Sequence, residues 1–564
     1  MKSGRWLVVF GSLVAIVLLV GMVASCEGTT STTGTEGTAT TVAADVPLSI
    51  LECPQGPVSG ETPQYGGTLK ITYDHTPSNL GAFWDLTRFL DWVQARFAVE
   101  SLVGLNPQGQ PVPQLATSWD IDDVAKTITF HLREGVKFHD GTDFNAEAAK
   151  WNLDMQKNGP KTELKNVTDI AAVDPYTVRL TFSEMDPLFV QQMVASMCGK
   201  ITSPAAYELY GPEEIKFQPV GTGPFKFDRF EPDVLLRYTR FEDYWQEGLP
   251  YLDAVEIHYI ADNTVALTSF KSGEAQIMGN LGVKDVPELE AAGNTIQTRM
   301  NAFWCLAGDS ANPDSPAADL RVRQAIAYAI DCKTITEAVW DGAYPYSNQL
   351  ALPGMTGYNS AIKGYPFDPV RAAQLLAEVG ITPETPWKTT LKTPNPEDRV
   401  EWLTVAQEQL REVGIEVELQ PLPSAGYQEV SSNGWTGLAI VAFSYPMEAA
   451  YSSTLRQTLS EDAYMNPSIA VPEEFNVVYR AMLPETDLAK RELAYQQLNK
   501  MAIDDYCLLT PLFGLPGLSA VSADVHDSGF LVDCTPEFLP ERAWLSGASN
   551  PGTTAPAGTT TSGQ

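Results

Sequence analysis

Residues 113–147 constrain the fold more than any other part of the chain, because several structural signals follow one another there without a gap. Residues 127–132 alternate polar and apolar side chains at a period of two, which predicts a half-buried strand. Glu134-Gly135 indicates a turn, and residues 136–138 read as the start of a second short strand. The stretch therefore predicts two strands joined by a turn.

The same stretch then predicts a helix. Residues 139–142 (His-Asp-Gly-Thr) indicate another turn, and Asp143 or Asn145 can cap a helix that begins near Ala146. A histidine next to an aspartate at a turn could also indicate a metal site or a catalytic dyad. We interpret Asp140, which precedes a glycine, as an acceptor for backbone N–H groups of the turn.

The amino terminus carries a secretion signal. Lys2 and Arg5 precede an apolar run over residues 6–20, and residues 23–26 read Val-Ala-Ser-Cys. This order predicts a signal peptide with a lipobox, after which Cys26 is acylated and holds the mature protein on the outer face of a membrane. The alternative is an uncleaved signal anchor, because the apolar run approaches the roughly 18–20 residues that span a bilayer.

Two low-complexity segments flank the body of the chain. Residues 27–59 are rich in Thr and Gly and predict a flexible tether, and residues 546–564 predict a disordered tail. The body between them is about 500 residues long, which suits two or three hydrophobic cores. Its composition, 44% hydrophobic and 10% aromatic, is typical of globular protein.

The net charge is strongly negative. The 37 basic and 70 acidic residues give −33, which argues against nucleic acid or an anionic membrane surface as a partner. A solvated acidic surface and a field that attracts cationic ligands are both open as explanations.

Six cysteines remain once Cys26 is assigned to lipid: Cys53, Cys198, Cys305, Cys332, Cys507 and Cys534. Outside the cytoplasm an even number permits up to three disulfides. We expect Cys53 to pair with Cys534, because both terminal segments should return to the same domain; the other pairings are open. No Cys-x-x-Cys spacing occurs and the chain has five histidines, so we predict no metal site.

Further motifs follow in a fixed order along the body. They comprise a glycine turn and first strand (65–71), a Pro-Val-Gly-Thr-Gly-Pro loop before a strand (219–227), two strands (241–245 and 251–255), a helix with a glycine cap (261–275), two amphipathic helices (320–331 and 368–380), and a helix feeding a strand (400–419). Together with residues 113–147, this order resembles the family 5 extracellular solute-binding proteins, the peptide- and nickel-type proteins that feed ABC importers. The resemblance runs from residue 65 to about residue 513, most of the body.

The resemblance implies an α/β, two-lobed fold of the periplasmic-binding-protein type (type II, cluster C), with an extra domain inserted in the first lobe. The implied segments are a signal peptide (1–26), a tether (27–59), lobe I (60–95, 218–300 and 508–545), an inserted domain (96–217), lobe II (301–507) and a tail (546–564). His131 and His139 lie inside the family signature, where they would serve the turn.

The resemblance also implies a function without catalysis. The lobes would close on a solute, and the permease subunits of an ABC importer would recognise the closed form. We expect no cofactor, a monomer, and a lipid anchor outside the cytoplasm, in a periplasmic space or at the cell surface. A lipoprotein that presents the closed form to a signalling partner is one alternative. An extracellular hydrolase is another, but the sequence has no Gly-x-Ser-x-Gly or His-Glu-x-x-His motif.

The nature of the solute depends on residues 443–446, Phe-Ser-Tyr-Pro. In peptide binders of the family, an Asp just before an aromatic residue and Pro pairs with the peptide α-ammonium. This chain has no Asp there, and Glu448 is the nearest acid. Because a buried ammonium without a counter-charge is costly, the solute can be a peptide or another small organic solute, such as a sugar that stacks on aromatic rings.

The resemblance suggests cleft residues in both lobes. The candidates are Tyr73, Asp74 and Trp84 in the first lobe, Phe303 and Trp304 just past a crossover at Asn301, and Trp402, Phe443, Ser444 and Tyr445 in the second lobe. For each aromatic residue, packing in a core is the alternative.

Overall fold

The computed structural model describes residues 62–85, 89–105, 111–159, 163–186, 188–195, 198–394, 400–443, 448–528 and 540–547. The predicted lipobox at Cys26, the tether, most of the tail and the predicted Cys53–Cys534 disulfide lie outside these residues.

The described residues form twenty strands: β1 (Thr68–Tyr73), β2 (Glu100–Ser101), β3 (Val103–Leu105), β4 (Pro111–Pro113), β5 (Ala116–Asp122), β6 (Thr127–Leu132), β7 (Val167–Asp174), β8 (Thr177–Phe182), β9 (Lys200–Ile201), β10 (Phe225–Glu231), β11 (Leu235–Arg240), β12 (Ala254–Tyr259), β13 (Ile277–Met278), β14 (Thr295–Gly308), β15 (Trp387–Pro394), β16 (Ile415–Leu422), β17 (Leu438–Phe443), β18 (Thr510–Val521), β19 (Val525–His526) and β20 (Trp544–Leu545).

The same residues form fourteen α-helices: α1 (Phe89–Ala95), α2 (Ala146–Lys157), α3 (Phe189–Ala195), α4 (Pro204–Glu214), α5 (Asn263–Lys271), α6 (Val286–Ala291), α7 (Leu320–Ala329), α8 (Cys332–Trp340), α9 (Pro369–Ala377), α10 (Val400–Glu412), α11 (Ser424–Asn433), α12 (Glu448–Thr458), α13 (Glu473–Met482) and α14 (Leu488–Lys500). None of these helices combines the length and the apolar character that a membrane span requires.

The main sheet has two halves. Its ten strands lie in the order β10-β11-β12-β1-β13-β18-β14-β17-β15-β16. The strands β1, β12 and β13 are parallel in one half, and β15, β16 and β17 are parallel in the other. The long antiparallel pair β14–β18 joins the halves and belongs to both.

Separate hydrophobic cores mark the division. Leu518 and Ala520 of β18 pack in a core with the first half of the sheet, whereas Leu512 and Leu515 of the same strand pack in a core with the second half. We therefore call residues 62–99, 218–300 and 516–547 the first lobe, and residues 301–515 the second lobe. Residues 100–217 we call the insert.

The insert has its own sheet and its own core. Its four strands lie in the order β5-β6-β8-β7, and the residues of β6 alternate between partly and fully buried, as the sequence predicts. Helix α2 begins at Ala146, with the side chain of Asn145 accepting a hydrogen bond from Ala148 N at 3.0 Å. The predicted strand at residues 136–138 is wrong: only an isolated bridge between Lys137 and Asp143 forms, because the chain turns back at once.

Most of the predicted elements of the lobes are confirmed. The first strand, the strand after the glycine loop, and the helices α5, α7, α9 and α10 occur where the sequence predicts them. The predicted strand at residues 241–245 is wrong, because these residues form turns that follow β11.

The cysteines in the described ranges do not bear out the expectation of several disulfides. Cys305, Cys332 and Cys507 are free thiols, and burial raises the pKa of each. The thiol of Cys198 donates to the carboxylate of Glu163 at 3.8 Å. The predicted pairing of Cys53 with Cys534 stays a prediction.

Candidate functional site

The carboxyl ends of the parallel strands in the two lobes face each other along the pair β14–β18, and we call the region between these ends the gap. In the first lobe, β13 ends at Met278, which lies opposite Ala520 of β18. In the second lobe, β17 ends at Phe443, opposite Phe303 of β14, which in turn lies opposite Gly514 of β18. Six residues of β18 separate these two levels, about 20 Å at 3.3 Å per residue. Ligands of open α/β sheets bind at such carboxyl edges, so the gap is the candidate site.

The pair β14–β18 crosses this gap and has the features of a hinge. Its ladder is interrupted by a register shift between Met300 and Ala302, and Pro516 opposite Met300 has no N–H to donate. The two lobes have separate cores on either side of this point. A change of backbone angles there would move one lobe relative to the other without disrupting either core.

A polar network lies at the first-lobe edge of the gap. Asp74, directly after β1, accepts hydrogen bonds from His75 Nδ1 at 2.7 Å and from Asn280 Nδ2 at 2.6 Å. The other ring nitrogen of His75, Nε2, lies 3.4 Å from the side-chain amide nitrogen of Gln94. The oxygen of the same amide accepts a hydrogen bond from Tyr259 OH at 2.9 Å. These contacts fix the direction of the Asp74 carboxylate.

Two of the predicted cleft residues therefore lie at this edge. Tyr73 is buried at the end of β1 with its ring against His75, and Asp74 is partly exposed beside it. Sequence reasoning missed His75, Gln94 and Asn280. Asn280 carried a usable signal, since it is a polar residue two positions beyond the end of a parallel strand.

Trp84 lies elsewhere, at the junction between the first lobe and the insert. Its ring packs edge-on against Trp151 and Tyr207 of the insert, with ring centroids 5.5 Å apart in both cases. Ala206 and Ile215 complete this core. Its role in solute binding stays a prediction, but its contacts are those of a core residue.

The second-lobe candidates lie on both faces of the sheet. Phe303 and Phe443 pack in one core, where Phe443 meets Tyr451 edge-on. Trp304 and Trp402 pack in the core on the opposite face. Their roles as cleft residues stay predictions. Ser444 and Tyr445 lie outside the described residues, and so does the side chain of Glu448, where α12 begins.

The insert contacts the second lobe through polar side chains. Arg456 of α12 donates to Asp186 at 2.8 Å and to Tyr479 OH at 3.2 Å, and both partners of the ion pair are more than nine-tenths buried. Burial by itself would lower the pKa of Arg456, but Tyr479 and Asp186 hold it above the ordinary arginine value. Gln192 also donates to Ser452 at 3.0 Å.

The rim of this contact has two more polar pairs. Gln457 donates to Glu163 at 3.0 Å, and Lys165 pairs with Asp462. Helix α3 of the insert packs along α12 of the second lobe.

The insert contacts the first lobe differently, through backbone groups. Ser203 N donates to Val220 O at 2.8 Å, and Leu80 N donates to Lys216 O at 2.5 Å. The first-lobe segments 97–99 and 218–225, which lead into and out of the insert, lie side by side, with Gly223 N donating to Ala98 O at 3.0 Å. A Cβ atom at Gly221 would lie 2.2 Å from Ala98 O, so only glycine permits this approach.

His139 of the insert also bonds to the first lobe at this junction. Its Nε2 donates to Gly223 O at 2.9 Å, its backbone N–H donates to Gly221 O at 2.9 Å, and its Nδ1 lies 3.4 Å from Gly221 N. Burial lowers the pKa of His139 to about 4, so the ring is neutral. Asp140 accepts from Thr142 N at 3.0 Å, which confirms its predicted part in the turn.

Comparisons with known proteins agree with this geometry. Residues 110–463 match the family model described as bacterial extracellular solute-binding proteins, family 5 middle. The glutathione-binding protein GsiB of Escherichia coli O1:K1 is 32% identical over 359 residues, which cover 62% of this chain and 69% of GsiB.

Two solved structures have the same fold. The periplasmic binding protein DppA of Helicobacter pylori, in complex with the peptide STSA, has a TM-score of 0.76 at 21% identity, covering 86% of this chain and 98% of DppA. The oligopeptide-binding protein AppA of Bacillus subtilis, in complex with a nonapeptide, has a TM-score of 0.75 at 20% identity, covering 86% of this chain and all of AppA.

The fold and the gap between the lobes define the class: a two-lobed binding protein. The chain belongs to the bacterial extracellular solute-binding proteins of family 5. It is an extracytoplasmic protein that binds a solute and delivers it to an ABC importer, which confirms the fold class and the function that the sequence predicts. The relatives named above are binding proteins.

Proposed function

We propose that the mature protein is a monomeric lipoprotein that captures a peptide or another small organic solute between its lobes and presents the closed form to the permease of an ABC importer. The observation that carries this proposal is the pair of opposed carboxyl edges, joined by the single ribbon β14–β18. A solute that contacts both edges binds the closed form better than the open form, so its binding shifts the population toward closure.

The class of solute follows from the relatives and from this chain's departure from the peptide-binding pattern. GsiB is a glutathione-binding protein, and the DppA and AppA structures contain peptides. The present chain has no carboxylate in residues 443–446, but Asp74 and Asn280 offer polar groups at the opposite edge. We infer that the first lobe contributes more of the polar recognition than the second lobe does.

We further infer that binding is not followed by a catalytic step, because the relatives are binding proteins. The anchor is inferred from the lipobox signal that ends at Cys26. A Cys26→Ser variant should appear in the soluble fraction, whereas the natural chain should sediment with membranes and incorporate labelled palmitate. A natural chain that incorporates no palmitate would remove the anchor from the proposal.

A thermal-shift screen of the mature protein tests the solute. The probes are glutathione, tri-alanine, an oligosaccharide and a nickel–histidine chelate, each at millimolar concentration. A probe present at about 100 times its Kd stabilises the folded protein by about 2.7 kcal/mol, which is readily detected. We expect glutathione or tri-alanine to give the largest shift.

Variants show whether the shift reports the proposed cleft. Asp74→Asn should reduce the shift, because Asp74 lies at the carboxyl edge. The matched control is Asp253→Asn, which removes an exposed carboxylate at the opposite, amino-terminal edge of the same sheet, where it accepts from Gly67 N. Equal effects of the two variants would reject the assignment of the cleft, and a shift with the chelate alone would reject the solute class.

A further inference from the structure

The contact between the insert and the second lobe consists of side-chain pairs, and we call it the latch. The ion pair of Asp186 and Arg456 lies in it, and both side chains are more than nine-tenths buried. Within the described ranges, every hydrogen bond across this contact joins two side chains. No hydrophobic core of the described residues includes members of both parts. Among the described residues, separation of the two surfaces would therefore break side-chain contacts and open no shared core.

The contact is also imperfect as a permanent interface. The side-chain oxygen of Gln192 is buried there and has no hydrogen-bond partner among the described residues, although its nitrogen donates to Ser452. A buried acceptor without a donor destabilises the contact, and it gains a water partner when the surfaces separate. Such an arrangement suits a contact that forms and breaks.

The latch is connected by the chain to the solute gap. Arg456 lies on α12, which begins at Glu448, directly after residues 444–447 that follow the carboxyl end of β17. The carboxyl end of β17 and Arg456 therefore belong to one short stretch of the second lobe.

We propose that the contact between the insert and the second lobe belongs to the closed form, and that Asp186 and Arg456 are positioning residues that latch this form. The proposal rests on the closure mechanism proposed above and adds the contact that sets its strength. Breaking the pair leaves solute contacts intact but raises the open population, so the solute dissociates faster.

Thiol labelling measures the open population without any solute. Ser452 is buried in this structure, where Gln192 donates to its hydroxyl, so the thiol of a Ser452→Cys variant should react with a maleimide only when the latch opens. In this background, Asp186→Asn should increase the labelling rate at position 452 by roughly tenfold or more, because it leaves a buried charge without its partner. Lys165→Gln, at the exposed rim of the same contact, should change the rate less than twofold.

Two further labelling measurements distinguish a latch from a contact that only supports the fold. The natural thiol of Cys305, in the core of the second lobe, should label at an unchanged slow rate in all variants. Exchange of the charges, Asp186→Arg with Arg456→Asp, should restore slow labelling at position 452. Faster labelling of Cys305 together with position 452 would mean that the second lobe has loosened, and the proposal would be wrong.

An unchanged rate at position 452 in Asp186→Asn would also overturn the latch. Because the assay uses no solute, its outcome is independent of the thermal-shift screen. A protein that binds none of the probes but responds to Asp186→Asn retains the latch and loses the proposed solute class. A protein that binds glutathione but labels at the same rate in every variant retains the function and loses the latch.

Discussion

The insert contacts both lobes, but different kinds of interaction form the two contacts. Against the first lobe, it has backbone hydrogen bonds, glycines in close approach and a shared core that contains Trp84. Against the second lobe, it has an ion pair and side-chain hydrogen bonds. Backbone ladders and shared cores form as the protein folds, whereas side-chain pairs can exchange with water. The difference indicates that the insert moves as one body with the first lobe.

The largest expected effect comes from removing one large side chain from the core that the insert shares with the first lobe. Trp84→Ala should lower the free energy of unfolding by about 3–5 kcal/mol, because it leaves a cavity against Trp151 and Tyr207. Chemical denaturation of the mature protein measures this loss. Leu209→Ala is the control, since Leu209 is 75% exposed on α4 of the insert and should cost less than 0.5 kcal/mol, about the usual size for a surface change. An unaffected stability with weaker solute binding would instead make Trp84 a cleft residue.

The next test strains the junction without removing a contact. Gly221→Ala should lower the free energy of unfolding by about 3 kcal/mol, because the new methyl group would collide with the carbonyl of Ala98. Gly426→Ala is the matched control, since a Cβ atom in α11 meets nothing closer than 3.8 Å. The control should be neutral or slightly stabilising. Similar losses in both variants would show that the junction has no special intolerance.

The smallest expected effect concerns a buried carboxyl at the same junction. Glu100 accepts from Thr222 at 2.7 Å, from Tyr244 at 2.9 Å and from Trp245 at 3.0 Å. Burial raises the pKa of Glu100 from 4.5 to about 7, although these hydrogen bonds oppose the shift. Between these two values the folded protein retains a proton that the unfolded chain has released. Stability contributed by this group is therefore present below pH 4.5 and is lost as the pH rises to 7.

The variant Glu100→Gln has no carboxyl at this position, so its free energy of unfolding lacks this pH-dependent loss. Relative to the natural protein, the variant should gain on the order of 2 kcal/mol in the free energy of unfolding when the pH rises from about 4.5 to about 8. The contributions of His139 should cancel in the difference between the two proteins. Glu134→Gln, which replaces an exposed carboxyl in the turn after β6, is the control for the loss of one negative charge. A difference between Glu100→Gln and the natural protein that does not change with pH would contradict the raised pKa.

Local signals were sufficient for most of the elements. The alternation in residues 127–132, the cap at Asn145 and the glycine loop at 219–224 each act over a few residues, so the sequence alone predicts them. The strand predicted at 241–245 failed because aromatic residues there also suit a packed turn. The candidate site was only partly predictable. Tyr73 ends a recognisable strand and Asp74 follows it, but His75, Gln94 and Asn280 meet only in the folded sheet.

The order of motifs by itself determined the family, the two-lobed fold and solute binding, because each motif is local and their succession is specific. Only the tertiary structure decided which polar groups meet. His139 reaches a loop 84 positions away, and Arg456 meets Asp186 across 270 positions. No periodicity or spacing in a sequence encodes such distances, since they depend on how the lobes and the insert pack. For that reason residues 113–147 identified the kind of protein, whereas the contact of the insert with the second lobe could be found only in the folded chain.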